Sequence, residues 1–159
     1  MSRHDDEGAG RAGSLLGEVR QRRAELRVSM GAFERSMASP AGSGGAACWA
    51  RELQPALMKL YADFRAHVAI TEGPDGLYCD LAERSPRLAH PVGRLTEEHG
   101  EITRRLEELV TWTDVNAESP DVAEVRRSGT AVLALLMRHR QRGSDLVFEA
   151  YEVDIGGET

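Results

Sequence analysis

The stretch LAHPVGRLTEEHGEITRRLEEL, residues 88–109, decides the fold of this chain. Its stripe residues recur at alternating intervals of four and three positions. They are Leu88, Val92, Leu95, His99, Ile102, Leu106 and Leu109. This spacing is typical of one face of an α-helix that packs nearly parallel to its neighbours. It predicts a helix over about residues 86–112.

Three further segments carry the same spacing, at residues 14–37, at residues 47–72, and from Ser119-Pro120 to a point before Gly156-Gly157. The aromatic content is only 5%, which disfavours a β-sandwich or barrel, whereas abundant Ala, Leu, Glu and Arg favour helix. We therefore predict an all-α fold, an antiparallel up-down-up-down four-helix bundle. The alternative is an elongated coiled-coil dimer, against which the frequent loops and short helices argue.

The expected boundaries follow from composition. Residues 1–13 are polar and Gly-rich and are expected to form a disordered N-terminal tail, residues 14–155 the bundle, and residues 156–159 a C-terminal tail. Pro55 allows the second helix to start late, near Leu53. A connector follows Gly73-Pro74, with one short helix expected around residues 80–84.

The charge balance excludes some partners. With 20 basic and 26 acidic residues the net charge is -6, so the domain as a whole does not attract nucleic acid. The sequence has no run of about 18 apolar residues, so we predict no membrane span, and we see no secretory signal. We expect a cytoplasmic protein in which Cys48 and Cys79 are reduced thiols. The pattern leaves the oligomeric state open.

Histidine placement is the sharpest functional signal. Of the five histidines, His67, His99 and His139 fall on the core stripes of three different helices, where Leu or Val is expected. One core histidine is usually just hydrogen-bonded, but three on facing stripes need partners for six ring nitrogens. An unpaired buried polar group costs roughly 1–3 kcal/mol. A shared metal ion would satisfy all three, because neutral imidazole is the commonest metal-binding side chain.

Carboxylates lie near these histidines along the chain. Imidazole combined with carboxylate suits iron, while zinc and manganese are also compatible. Each acid taken alone is more often an ordinary solvated residue of a helix surface than a metal ligand. The candidate carboxylate ligands are Glu72, Glu98, Asp145 and Glu149.

Other features near the stripes leave two interpretations open. Gly129 and Gly143 occupy core positions of the fourth helix, which indicates either close helix packing or space for a ligand. Arg138, Arg140 and Arg142 flank His139 and form either a solvated helix face or partners for an acid or an anionic ligand.

The segments at residues 67–72 (HVAITE), 98–102 (EHGEI) and 139–145 (HRQRGSD) together resemble the hemerythrin-like, or HHE cation-binding, family. That family pairs helices bearing Glu-His with helices bearing His followed closely by an acid. The resemblance covers roughly residues 15–149. It implies a four-helix bundle around a non-haem iron centre with one or two iron ions per chain. Such a centre binds or activates dioxygen, nitric oxide or peroxide.

The chain departs from the family pattern in ways that limit the site. The first predicted helix has no histidine, and Thr103 stands where a second histidine of the third helix would be. A five-histidine diiron set is therefore impossible, which leaves a single iron, an asymmetric diiron pair richer in carboxylate, or a site that has lost its metal. Met30 and Phe33 of the first helix are expected to line the site.

Two functional hypotheses remain. The first is a non-haem iron protein that binds or activates a small diatomic ligand or peroxide, with possible oxidoreductase activity. The second is a metal-free helical module that binds a partner or small ligand and keeps its histidines hydrogen-bonded.

Overall fold

The computed structural model describes the backbone of residues 2–153 and the side chains of residues 10–11 and 13–151. The described part of the chain contains helices and no strand. They are α1 Ser2–Ala38, α2 Gly45–Glu72, α3 Leu77–Arg84, a 3-10 turn Pro86–Leu88, α4 Ala89–Val115, α5 Val122–Phe148 and a π-helical turn Glu149–Val153. The predicted all-α four-helix bundle is confirmed, with α1, α2, α4 and α5 as the long helices. The up-down-up-down order stays a prediction.

The long helices close a ring around one core. Helix α1 packs against α2 and α5, and α4 packs against the same two helices. The predicted stripes supply this core, and Phe33, Leu57, Leu106 and Leu136 are completely buried. Burial of each such side chain contributes about 1.5–3 kcal/mol. None of the helices in residues 2–153 is long and apolar enough to cross a membrane.

The starts of α1 and α5 differ from the prediction. Helix α1 begins at Ser2 rather than Ser14, because the segment has no proline and its alanines and charged residues tolerate helix despite three glycines. Helix α5 begins at Val122 rather than at Ser119-Pro120, because the Asp121 carboxylate accepts a hydrogen bond from the Glu124 backbone N–H at 3.0 Å. This bond satisfies one of the free amides of the first turn. The predicted tail at residues 156–159 lies outside the described residues.

Helix α2 runs through its proline. It begins at Gly45, two residues before the predicted start, and Pro55 lies inside it. A proline in this position removes one helical hydrogen bond. Leu53 and Leu57 on either side are buried in the core, and this burial offsets the lost bond.

The connector between α2 and α4 folds against the bundle. Its short helix α3 begins at Leu77, three residues earlier than predicted, and Leu77, Tyr78 and Leu81 are buried. They form a second apolar cluster with Val19 of α1 and Leu146 of α5. The sequence predicts His67 near the end of its helix and His99 deep in the next, and the folded connector brings the two to the same level of the bundle.

The two core glycines of α5 have different roles. A side chain at Gly129 would collide with the Met37 sulfur and lie 3.1 Å from Phe33 Cζ, so this glycine lets α1 and α5 approach closely. A side chain at Gly143 would meet nothing within 4 Å. Gly129 therefore allows close packing of two helices, whereas Gly143 leaves free space beside its helix.

Substituting the two glycines with alanine should change stability in opposite directions. Gly129→Ala should lower the free energy of unfolding by about 1–3 kcal/mol, because the new methyl group overfills the contact with α1. Gly143→Ala should raise it by up to about 1 kcal/mol, because alanine stabilises the helix and its methyl group has room. Urea unfolding of both variants measures this. Equal effects would contradict the assignment of different roles.

Candidate metal centre

Three histidines from three helices meet inside the bundle. His67 of α2, His99 of α4 and His139 of α5 are at most 5% exposed. The Nε2 atom of His139 lies 3.2 Å from His67 Nε2 and 3.0 Å from His99 Nε2. Potential ligand atoms of the three residues all lie within 4.8 Å of one another. The predicted clustering of these histidines is thus present in the structure.

Two carboxylates contact two of the rings at Nδ1, on the side away from the converging Nε2 atoms. His99 Nδ1 lies 2.6 Å from Glu72 Oε1, and His139 Nδ1 lies 2.9 Å from Glu98 Oε2. Glu98 also pairs with the Arg142 guanidinium. An ionised carboxylate only accepts hydrogen bonds, so each Nδ1 carries the hydrogen. Carboxylates in this position orient metal-binding imidazoles and increase their basicity.

The protonation state of the cluster follows from its burial. Burial lowers the pKa of His99 to about 2 and that of His67 to about 3, and the neighbouring imidazole of His139 adds to both shifts. Burial also lowers the pKa of His139, although the hydrogen bond to Glu98 opposes this. The rings are therefore neutral near pH 7. With hydrogen on both Nδ1 atoms, His99 and His139 face each other with lone pairs on Nε2.

A cation between these nitrogens would relieve their repulsion. Zinc–imidazole bonds of about 2.0–2.1 Å at tetrahedral angles separate neighbouring nitrogens by about 3.3–3.4 Å. The observed separations of 3.0 and 3.2 Å are close to this value. The three neutral imidazoles are also the donors that zinc, iron, copper and nickel accept. The residues present therefore fit a single transition-metal ion.

Hydrogen bonds alone offer a second arrangement. His67 Nε2–H can donate to His139 Nε2, and the Tyr78 hydroxyl, 3.4 Å away, can donate to His99 Nε2. This arrangement leaves the nitrogen pair of His99 and His139 in contact without a hydrogen between them. In both arrangements His67 Nδ1 has no hydrogen-bond partner among the described residues.

Aromatic rings enclose the cluster. Phe64 contacts all three imidazoles, with ring centroids 5.7–6.3 Å apart, and Tyr78 stacks on His99 at 5.5 Å. Beside the rings lies a cavity of about 20 Å³, which Gly143 helps to line. A single water needs about 10–15 Å³ on this scale. The cavity therefore admits one ligand of about the size of a water or diatomic molecule.

Comparison with known proteins adds no relative: no family model matches the chain, and no curated protein or solved structure is significantly similar to it. The resemblance to the hemerythrin-like family stays a prediction.

The predicted carboxylates divide into two groups. Glu72 and Glu98 reach the cluster, but through the Nδ1 atoms of the rings rather than beside the converging Nε2 atoms. Asp145 is exposed and accepts a hydrogen bond from Gln141 at 2.9 Å. Glu149 pairs with Arg87 at 2.6 Å. The structure does not bring Asp145 and Glu149 to the three histidines, because Asp145 is exposed on α5 and Glu149 lies beyond the end of that helix.

Four residues at the site were not assigned to it from the sequence. Tyr78 lies in the connector, where nothing in the sequence marks it. Phe64 precedes His67 on the same stripe and was assigned only to the core. From α1, Val19 and Arg23 line the small cavity beside the rings, whereas the predicted Met30 and Phe33 belong to the main core. Arg23 is the one charged residue on the apolar stripe of the first helix, and this could have indicated a polar site nearby.

Proposed function

We propose that this chain binds one iron ion through the Nε2 atoms of His67, His99 and His139 and presents it to a dioxygen, nitric oxide or peroxide ligand. The observation that supports the proposal is the 3.0 Å distance between the Nε2 atoms of His99 and His139, which both carry lone pairs when the carboxylates of Glu72 and Glu98 hold the ring hydrogens on Nδ1. Buried polar groups are otherwise hydrogen-bonded, and a shared cation is the simplest partner for both lone pairs.

The donor arrangement favours one ion over two. Glu72 and Glu98 are engaged with ring nitrogens on the outside of the cluster, so neither lies where a bridging carboxylate would be. The choice of iron rests on the segments that resemble the hemerythrin-like family. Three imidazoles suit zinc as well, and the experiment below separates the two metals.

The surrounding residues leave one side of the centre open. Phe64 and Tyr78 cover the rings and exclude bulk water, whereas the small cavity lies against His67 and His139. A bound metal with a free position supplies Lewis-acid or redox chemistry to a ligand there. Tyr78 and Arg23 line the same cavity, and the Tyr78 hydroxyl lies 3.4 Å from His99 Nε2.

Metal analysis tests the proposal. Chain expressed with added iron should contain one iron per chain by elemental analysis. Nitric oxide added to the reduced protein should produce a new electron paramagnetic resonance signal. Stoichiometric zinc with no iron uptake would keep the site and overturn the iron function. Protein that takes up no metal on reconstitution would overturn the whole proposal.

The second candidate is a metal-free helical module. The observation that favours it is the hydrogen-bonded arrangement in which His67 donates to His139 and Tyr78 to His99. In this case the histidines form a buried polar network that fixes the packing of α2, α3, α4 and α5. Absence of metal uptake together with an unchanged fold would favour this candidate.

A further inference from the structure

A groove of about 740 Å³ runs along the outside of α1 and α5. Among the described residues, its lining contains five arginines and no acidic side chain. These arginines, here called the arginine groove, are Arg20, Arg23, Arg27, Arg35 and Arg140. Along α1 the first and last are 15 residues apart, which corresponds to about 22 Å at 1.5 Å per residue.

These arginines lack the partners that other arginines of the chain have. Arg84 pairs with Asp80, Arg104 with Glu108 and Arg105 with Glu101. Among the described side chains, none of the five groove arginines has a carboxylate within 4 Å. This is unexpected in a chain with a net charge of -6, which offers more acids than bases.

The floor of the groove is held in place by hydrogen bonds between α1 and α5. Arg23 Nη2 donates to the Arg140 carbonyl oxygen at 3.0 Å and also to the Ser144 hydroxyl, which fixes one guanidinium across the seam between α1 and α5. The buried Nε of Arg140 has no hydrogen-bond partner among the described residues.

The like charges on this floor disfavour one another. Burial lowers the pKa of Arg23, and the nearby Arg140 lowers it further. An anion in the groove would offset this repulsion.

We propose that the arginine groove binds a small anion with several phosphate groups in a row, such as a nucleoside triphosphate or an inorganic polyphosphate. Guanidinium groups match phosphate oxygens in pairs, and a row of them matches a row of phosphates. The groove volume lies within the range of small-molecule sites, about 300–1,000 Å³. Val28, which is 69% exposed in the same groove, offers an apolar contact beside the charges. The acidic net charge disfavours a long nucleic acid as the occupant.

The proposal does not depend on the metal. Arg23 and Arg140 also line the cavity beside His67 and His139, so the test uses groove arginines that lie away from the histidines. The double variant Arg20→Gln/Arg27→Gln removes two charges from an exposed helix face. The matched control Arg104→Gln/Arg105→Gln removes two charges from α4, where both arginines are ion-paired.

Equilibrium dialysis of the full chain against radiolabelled inorganic tripolyphosphate measures binding in near-physiological salt. We expect saturable binding of one tripolyphosphate per chain, weakened at least about tenfold in the groove variant and unchanged in the control. Competition by adenosine triphosphate but not by adenosine would identify the phosphates as the recognised groups. No saturable binding, or equal loss in both variants, would overturn the proposal. Tighter binding of a single-stranded RNA oligonucleotide that the groove variant loses would overturn the ligand class.

Discussion

Replacing His99 with leucine should abolish metal binding and leave the helical bundle intact. Loss of a carboxylate behind a ligating imidazole already lowers metal affinity about 10–100-fold, so loss of the imidazole itself should exceed 100-fold. Leucine belongs at this position of the stripe, and replacing a buried polar side chain by an apolar one of similar shape is nearly neutral for stability. Glu72, which is 32% exposed, can turn its carboxylate to solvent.

The control for this variant lies on the same helix. His90→Leu changes an exposed histidine of α4 and should retain the metal content of the original chain. Elemental analysis and circular dichroism of both variants measure metal content and fold. A His99→Leu protein that keeps its full metal content would contradict the three-histidine centre. Metal loss together with loss of helicity would require the same measurement on His139→Leu.

The metal-free chain should lose stability steeply on acidification. Burial lowers the pKa of all three cluster histidines in the folded chain, to about 3 for His67 and about 2 for His99. The unfolded chain therefore takes up protons near pH 6.5, whereas the folded chain does not. Above pH 6.5 the histidines do not lower the free energy of unfolding. Below it, this free energy falls as the pH decreases from 6.5 towards 3.

The expected size of this effect follows from proton uptake. Each histidine that is protonated only in the unfolded chain lowers the free energy of unfolding by about 1.4 kcal/mol per pH unit, and three together by about 4 kcal/mol. A typical domain has only about 5–15 kcal/mol in total, so the metal-free chain should unfold within about one to four pH units below 6.5. Urea unfolding at successive pH values measures the slope. The double variant His99→Leu/His139→Leu should reduce the slope to about a third, and an unchanged slope would contradict the assignment.

The fold was predictable because the same apolar spacing is repeated in every long helix. Each long helix carries several turns of apolar side chains at alternating spacings of three and four, and burial of that stripe decides the structure whatever the loops do. The helix ends were less predictable, because a single contact decides them. Asp121 rather than Ser119 caps α5, and no spacing rule distinguishes the two residues.

The candidate site was predictable only in its histidines. His67, His99 and His139 stand out because they replace Leu or Val on a stripe. The roles of Glu72 and Glu98 depend on which ring nitrogen each carboxylate reaches, and that depends on side-chain torsions that a linear pattern does not contain. Tyr78 depends on how a loop folds back over the bundle. The arginine groove joins residues more than 100 positions apart, so it becomes visible only when α1 and α5 lie side by side.

The most direct test of the central claim is anomalous diffraction from crystals of the metal-loaded chain at the absorption edge of iron. We expect one peak within bonding distance of the Nε2 atoms of His67, His99 and His139, with Glu72 and Glu98 still on the Nδ1 atoms of His99 and His139. A peak at any other place, or none between these three nitrogens in crystals of iron-loaded protein, would contradict it.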